Sequence, residues 1–170
     1  MTQATHILIA GAVSKPFIAL GSPLAVFLVS LLSHYISDAI PHGDYPLRVV
    51  DDTNDAMNRN IAGTTKDKLI DISKVGVDTL IGIGILMALY QPAITLENAL
   101  LFVAVVLGGM LPDILQPLYY WFKRPPLTWA HQFHTLMHTP HRLVNMGYSK
   151  SAIISQTAIA FLAIAYIIYI

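Results

Sequence analysis

The segment His34-Tyr-Ile-Ser-Asp38-Ala-Ile-Pro-His42-Gly-Asp44 carries imidazoles and carboxylates at close spacing. An i, i+4 interval puts His34 and Asp38 on one face of a helix, one turn apart, and Pro41 ends that helix so that His42 can fold back toward them. The alternative is a histidine capping a helix C-terminus beside a solvated aspartate. Asp78 lies in an otherwise apolar stretch one turn after Lys74, where an ion pair with that lysine and ligation of a metal are both open. Asp113 follows Gly108-Gly109 and Leu111-Pro112; a break in the helix there would turn its carboxylate inward, and a plain helix-end aspartate is the alternative. His6 stands near the N-terminus among apolar neighbours. Further on, His131, His134 and His138 fall within about 60° of one another on a helical wheel, with Trp129, Phe133, Leu136 and Met137 on the opposite arc.

With no cysteine in the chain, any metal must be held by histidine and carboxylate. The candidate ligands are His6, His34, Asp38, His42, Asp78, Asp113, His131, His134 and His138, a supply sufficient for two or three zinc ions. Asp38, His42 and Asp113 are the candidates at the reacting centre. Such a site hydrolyses by lowering the pKa of bound water, and two metals about 3.5 to 4 Å apart suit in-line attack on a phosphate ester. Lys123, Arg124 or Arg142 could hold the anion. No Gly-x-Ser-x-Gly turn, phosphate-cradling glycine loop or His-Glu-x-x-His motif offers another chemistry.

The elements that must position these groups are apolar. Of 170 residues, 55% are hydrophobic and 12% charged, about half the ~25% charged of a soluble domain. Zero formal net charge and a pI near 7.1 leave no basic face for nucleic acid. Nine aspartates stand against one glutamate, Glu97, so exposed Glu/Lys helix faces are nearly absent. Hydropathy predicts helices over 17–37, 75–90, 96–115 and 152–170, with 6–13 too short to span alone unless it continues through Pro16. The polar loop 43–68 reads as a loop or lid. Within 123–150, Pro125-Pro126, Thr128 as N-cap and Pro140 frame an interfacial amphipathic helix over about 129–139. The expectation is one all-α domain over 1–170: an integral membrane bundle of four or five spans. No secretory signal is evident, since no positive residue precedes the first apolar stretch.

The short 91–95 turn puts the start of the 75–90 helix and the end of the 96–115 helix on one side. His34, Asp38, His42, Asp78, Asp113 and the 131–141 histidines then share one membrane face, joined by His6 if the first segment crosses. That face also carries Arg48, Arg59, Lys66, Lys68, Lys74, Lys123, Arg124, Arg142 and Lys150, which by the positive-inside bias makes it cytoplasmic, at the cell (inner) membrane.

A histidine near the N-terminus, His34-x-x-x-Asp38-x-x-Pro41-His42, Leu111-Pro112-Asp113 and a later histidine cluster resemble the YdjM-like membrane-bound metal-dependent hydrolases. That family is distantly similar to zinc-dependent phospholipase C and the S1/P1 nucleases. The resemblance implies a membrane helical bundle, a divalent metal site and hydrolase activity, with His34, Asp38 and His42 the best-matched positions. Where that family carries a His-Arg-Gly-x-Thr-His-Ser element, this chain has Ala130-His-Gln-Phe-His-Thr-Leu-Met-His138.

The expected function is zinc-dependent hydrolysis of a phosphoester, a membrane lipid or lipid-linked phosphate. The alternatives are a divalent-metal transporter, with His and Asp lining a path, and a noncatalytic adaptor whose 43–68 loop binds a soluble partner. Single cysteines in the 91–95 turn and at Ile170, introduced into this cysteine-free chain, should label from the side of sealed vesicles opposite to one at His141. Labelling of all three from one side contradicts the parity.

Overall fold

A computed structural model describes residues 1–44, 46–51, 56–138 and 150–170; the expectations for Thr139, Pro140, His141 and Arg142 fall outside them. The described residues form six α-helices: α1 (Gln3–Ile18), α2 (Pro23–Asp38), α3 (Thr65–Tyr90), α4 (Leu96–Phe122), α5 (Leu127–Met137) and α6 (Lys150–Tyr169). A 3₁₀ turn, Ala56–Asn58, interrupts the polar loop, and no strand is present among the described residues beyond an isolated bridge between Val50 and Ile61.

α1 is apolar on every side, the pattern of a helix surrounded by others. It continues through Pro16, and its 16 residues rise about 24 Å. α2, α3, α4 and α6 all pack on it, around a core that includes Ile7, Leu8, Val26, Leu86, Val105 and Ile167. The expected single helix over 17–37 is divided. Gly21 takes a left-handed φ of 63°, Ser22 caps the amide of Ala25 at 3.3 Å, and Pro23 stands in the first turn. Stop, cap and start signals thus follow one another inside a run that hydropathy reads as continuous.

α3 begins well before the apolar run. A capping box between Thr64 and Asp67 starts it, so charged residues form its first turns and shorten the polar loop. Buried Asp71 ties that loop down, accepting the amides of Arg48 at 2.6 Å and Val49 at 3.0 Å and pairing with Lys74 at 3.3 Å. α4 is continuous through Pro112 and Pro117, which corrects the expected break: Asp113 turns inward because α4 lies against α1 and α2. A Cβ on Gly108 would meet the Phe27 carbonyl and Ser30 at 2.6 Å, and one on Gly109 would meet Ala10 at 2.9 Å. Small residues let the backbones approach this closely.

α5 starts at Leu127, after the cis Pro125-Pro126 peptide, with Pro126 rather than Thr128 at the N-cap. It lies across the ends of α4 and α2, with Trp129 65%, Phe133 49% and Leu136 82% exposed. α3, α4 and α6 are long and apolar enough to cross a membrane, and α2 is a shorter apolar helix. Large apolar side chains such as Leu80, Ile154, Phe161 and Leu162 face outward, while His6, His34, His42, His134, Asp38 and Asp71 are buried. This distribution is that of a membrane-associated bundle.

Because the contact at Gly108 involves backbone, it cannot yield cheaply. Gly108→Val should destabilise the bundle by about 1–3 kcal/mol, whereas Gly76→Val, with nothing within 4 Å of its added Cβ, should be neutral or slightly stabilising. Thermal unfolding in detergent checks the difference; equal melting of the two variants contradicts the close packing.

Candidate metal centre

The start of α1, the end of α2, the last third of α4 and α5 meet at one end of the bundle around Asp38, which is fully buried. His34 Nε2 lies 3.1 Å from Asp38 Oδ2, one helical turn away as the spacing predicts. His134 Nε2 reaches the same oxygen at 2.8 Å from α5. His6 Nε2 approaches Asp38 Oδ1 at 3.1 Å from α1, its ring stacked on that of His34 with centroids 3.9 Å apart. Asp113 completes this group, 3.8 Å from His34, 3.7 Å from His134 and 3.8 Å from His6. Nearer the rim, His42 Nε2 is 3.7 Å from Asp38 and 3.3 Å from Asp44, and His138 is 3.4 Å from Asp44. The Met1 amino group lies 2.8 Å from Asp44.

Hydrogen bonds on the far side of three rings fix which nitrogen faces the carboxylates. A carbonyl can only accept, so His34 Nδ1 donates to Gly109 O at 2.7 Å, and His42 Nδ1 donates to Ile40 O at 2.6 Å. Ser37 spends its own proton on the His34 carbonyl at 2.8 Å; its oxygen therefore accepts from His6 Nδ1 at 3.2 Å. In the neutral form each ring then turns a bare Nε2 lone pair toward the aspartates, and none of the three Nε2 atoms makes a hydrogen bond. Lone pairs facing carboxylates repel unless a positive charge lies between them.

That arrangement is the one imidazole ligands take around a metal, with the second nitrogen held by a backbone or hydroxyl partner. One ligand atom from each of His34, Asp38, Asp113 and His134 lies within 4.8 Å of every other, and Asp38, His42 and His138 form a second such group. Around one tetrahedral zinc, donor atoms sit about 3.4 Å apart; separations of 2.8 to 3.8 Å in the first group suit an ion of that size. The residues present can hold a metal ion.

Three expected ligands do not join these groups: His6, whose Nε2 faces Asp38 but which belongs to neither group, His131 and Asp78. His131 donates Nε2–H to Ala56 O at 3.2 Å and stacks on Tyr119 at 4.2 Å. It precedes His134 by almost a turn, and that step carries α5 from α4 to α2. His138 lies beyond the last helical residue in an extended conformation, so the shared helical face of three histidines is not what gathers them. Asp78 forms neither arrangement anticipated for it: its carboxylate accepts the Ala4 amide at 2.8 Å, capping the positive end of α1 where Thr2 supplies no side-chain bond. Lys74 turns to Asp71 and the Pro46 carbonyl.

Gln3 and Gln116 escaped the sequence reading, and Asp44, which closes the 34–44 segment, is not among its candidate ligands. Gln3 donates to Asp113 Oδ2 at 2.7 Å and Gln116 to its Oδ1 at 3.2 Å. Asp44 sits two residues after His42, and Gln116 is an amide one turn from Asp113 in an apolar helix; both were visible as polar outliers. Burial pushes the Asp44 carboxyl up, but the Met1 amino group, His138 and His42 outweigh it and hold it well below its ordinary value. Burial lowers His138, and Asp44 reverses the shift to a net rise. The two share a charge-assisted contact at the rim.

Replacing His34, Asp38 or His42 by Ala should reduce the metal content of purified protein, because each removes a ligand atom that its surroundings aim at the group. Asp51→Ala should not, since Asp51 bonds Asn60 in the exposed loop. Equal metal in all four variants, by elemental analysis, overturns the site. No protein-family model, curated protein or solved structure matches the chain.

Proposed function

We propose that the protein is a membrane-embedded, metal-dependent hydrolase of phosphoesters, with a lipid or lipid-linked phosphate as substrate. The observation that carries this reading is the set of three buried Nε2 atoms, unbonded and locked by their Nδ1 partners, facing Asp38, Asp44 and Asp113. His34, Asp38, Asp113 and His134 would hold one divalent ion, zinc by their donor type, and His42 and His138 would share Asp38 with a second. A bound ion of this kind supplies Lewis acidity, activating water near neutral pH and offsetting phosphate charge. Asp44, at the rim and 39% exposed, is the group able to take up the proton that water releases.

Lipid as the source of the phosphate is supported by what surrounds the site. Phe133 packs edge-on against Tyr35 at 4.8 Å, and Tyr35 lies 6.0 Å from the His134 ring. The exposed apolar side chains of α5 thus begin one residue from a candidate ligand, at the depth where an interfacial helix anchors. Basic residues on the segments bordering this end favour a cytoplasmic orientation at the cell membrane, with α2 and possible spans α3, α4 and α6 crossing it. Away from the site the core is apolar, with Ile7, Leu8, Val26, Leu101 and Val105 in its interior. This favours a one-ended hydrolytic site over a transport path. The motif resemblance to the YdjM-like hydrolases points the same way.

The two faces of α5 should separate in mutagenesis. Phe133→Ser with Met137→Ser should lower turnover of a phospholipid in vesicles several-fold more than that of a soluble phosphodiester, because only the lipid must be met at the interface. His134→Ala should lower both together, by about 100-fold or more, because a lost ligand damages the centre for any substrate. Unchanged hydrolysis of both substrates by His134→Ala removes α5 from the catalytic centre.

A further inference from the structure

Asp113, Gln116 and Tyr120 follow one another at i, i+3 and i+7 along one face of α4. Gln116 Nε2 donates to Asp113 Oδ1 at 3.2 Å, and Tyr120 OH donates to Gln116 Oε1 at 3.1 Å. A glutamine amide can turn over and present either end, but only one orientation serves both neighbours. With the amide reversed, its oxygen would face the carboxylate and its NH₂ the phenol, replacing an attraction at Asp113 by a repulsion. The carboxylate therefore selects the orientation in which the amide holds Asp113, and the phenol secures it by donating to the amide oxygen.

Tyr120 is itself buried and held. Its ring meets His131 edge-on at 5.3 Å. The same imidazole stacks on Tyr119, and His131 and Tyr119 bond the carbonyls of Ala56 and Met57 in the 3₁₀ turn. On the other side, Gln3 of α1 donates to Asp113 Oδ2. Both carboxylate oxygens are thus oriented by neutral amides, which leave the negative charge in place for a cation. A lysine or arginine in either position would cancel it.

We infer that Gln116 is a positioning residue for Asp113, with Tyr120 acting through it to lock the amide. The inference rests on Asp113 being a metal ligand and adds the pair that aims it. It also gives the Tyr119/His131/Ala56 contacts a role, since they fix the ring that fixes the amide.

The test uses the full chain in detergent, stripped with a chelator and titrated with Co²⁺ while its visible absorption bands are followed. Gln116→Met and Tyr120→Phe should each weaken Co²⁺ binding about tenfold and shift the bands, in the range known for partners behind a ligand. The double variant should be no weaker than Gln116→Met alone, because Tyr120 works only through the amide. Asp113→Asn should weaken binding more than either. If Asp113→Asn lowers affinity while Gln116→Met retains wild-type affinity and bands, the positioning role is overturned and the metal site stands. If Asp113→Asn also changes nothing, Asp113 is not a ligand and both fall. Additive losses in the double variant overturn the order Tyr120, Gln116, Asp113. Tyr120→Phe keeps the ring and its packing, so it carries the test should Gln116→Met fail to fold.

Discussion

A carboxylate sealed from water inside an apolar bundle is the constraint around which this molecule is organised. An isolated ionised aspartate at the position of Asp38 would cost several kcal/mol, even after relaxation. Here four imidazoles, from α1, α2, α5 and the segment after α2, approach its two oxygens. Three of those rings have their proton committed on the far side, so as neutral groups they bring lone pairs rather than donors. The Met1 amino group, 3.5 Å from Asp38 and 2.8 Å from Asp44, supplies one positive charge; balancing Asp38, Asp44 and Asp113 together takes more, as protons on the rings or as a cation among them. Removing one ring from such a centre leaves a buried charge short of a partner.

The scaffold meets that demand through close approach. Gly108 and Gly109 let α4 sit against α2 and α1, and the same contact delivers the Gly109 carbonyl to His34. Packing and ligand orientation are one interaction seen from two sides. Asp78 contributes in a similar way from α3, where it caps the helix that carries His6. A third aspartate, Asp71, has no contact with the cluster but holds the polar loop to α3. Three acidic residues at intervals along neighbouring helices therefore have three different tasks, which their residue type alone does not separate.

What could be read from the sequence was local. The i, i+4 pair His34/Asp38 is set by helix geometry, and it is found as expected. The all-helical class followed from long apolar runs. The division at Gly21-Ser22-Pro23 had its own punctuation, masked by averaging hydropathy over a window long enough to cross a bilayer. The tasks of His131 and Asp78 were not legible, because each depends on a partner about 75 residues away in sequence. A helical wheel reports which residues share a face. It does not report that the surface under that face changes from α4 to α2 within one turn, as it does beneath His131 and His134. Gln116 stands out as an amide in an apolar helix, but its task shows only with the carboxylate and the tyrosine it joins.

The central place of α1 bears on how the protein is made. α1 leaves the ribosome ahead of every helix that surrounds it, and its contacts with α6, such as Gln156 to Thr2 and Lys15 to the Ile167 carbonyl, close only when synthesis reaches the far end of the chain. Until then a helix carrying Gln3, Thr5, His6 and Ser14 has no completed interior to occupy. Such a segment can wait at the bilayer surface or within an insertion machinery, and enter when α2, α3 and α4 present their small-residue faces. Assembly of the bundle and completion of the histidine cluster are then the same late event, and a chain stalled before α6 would leave the buried polar groups of α1 open to quality control.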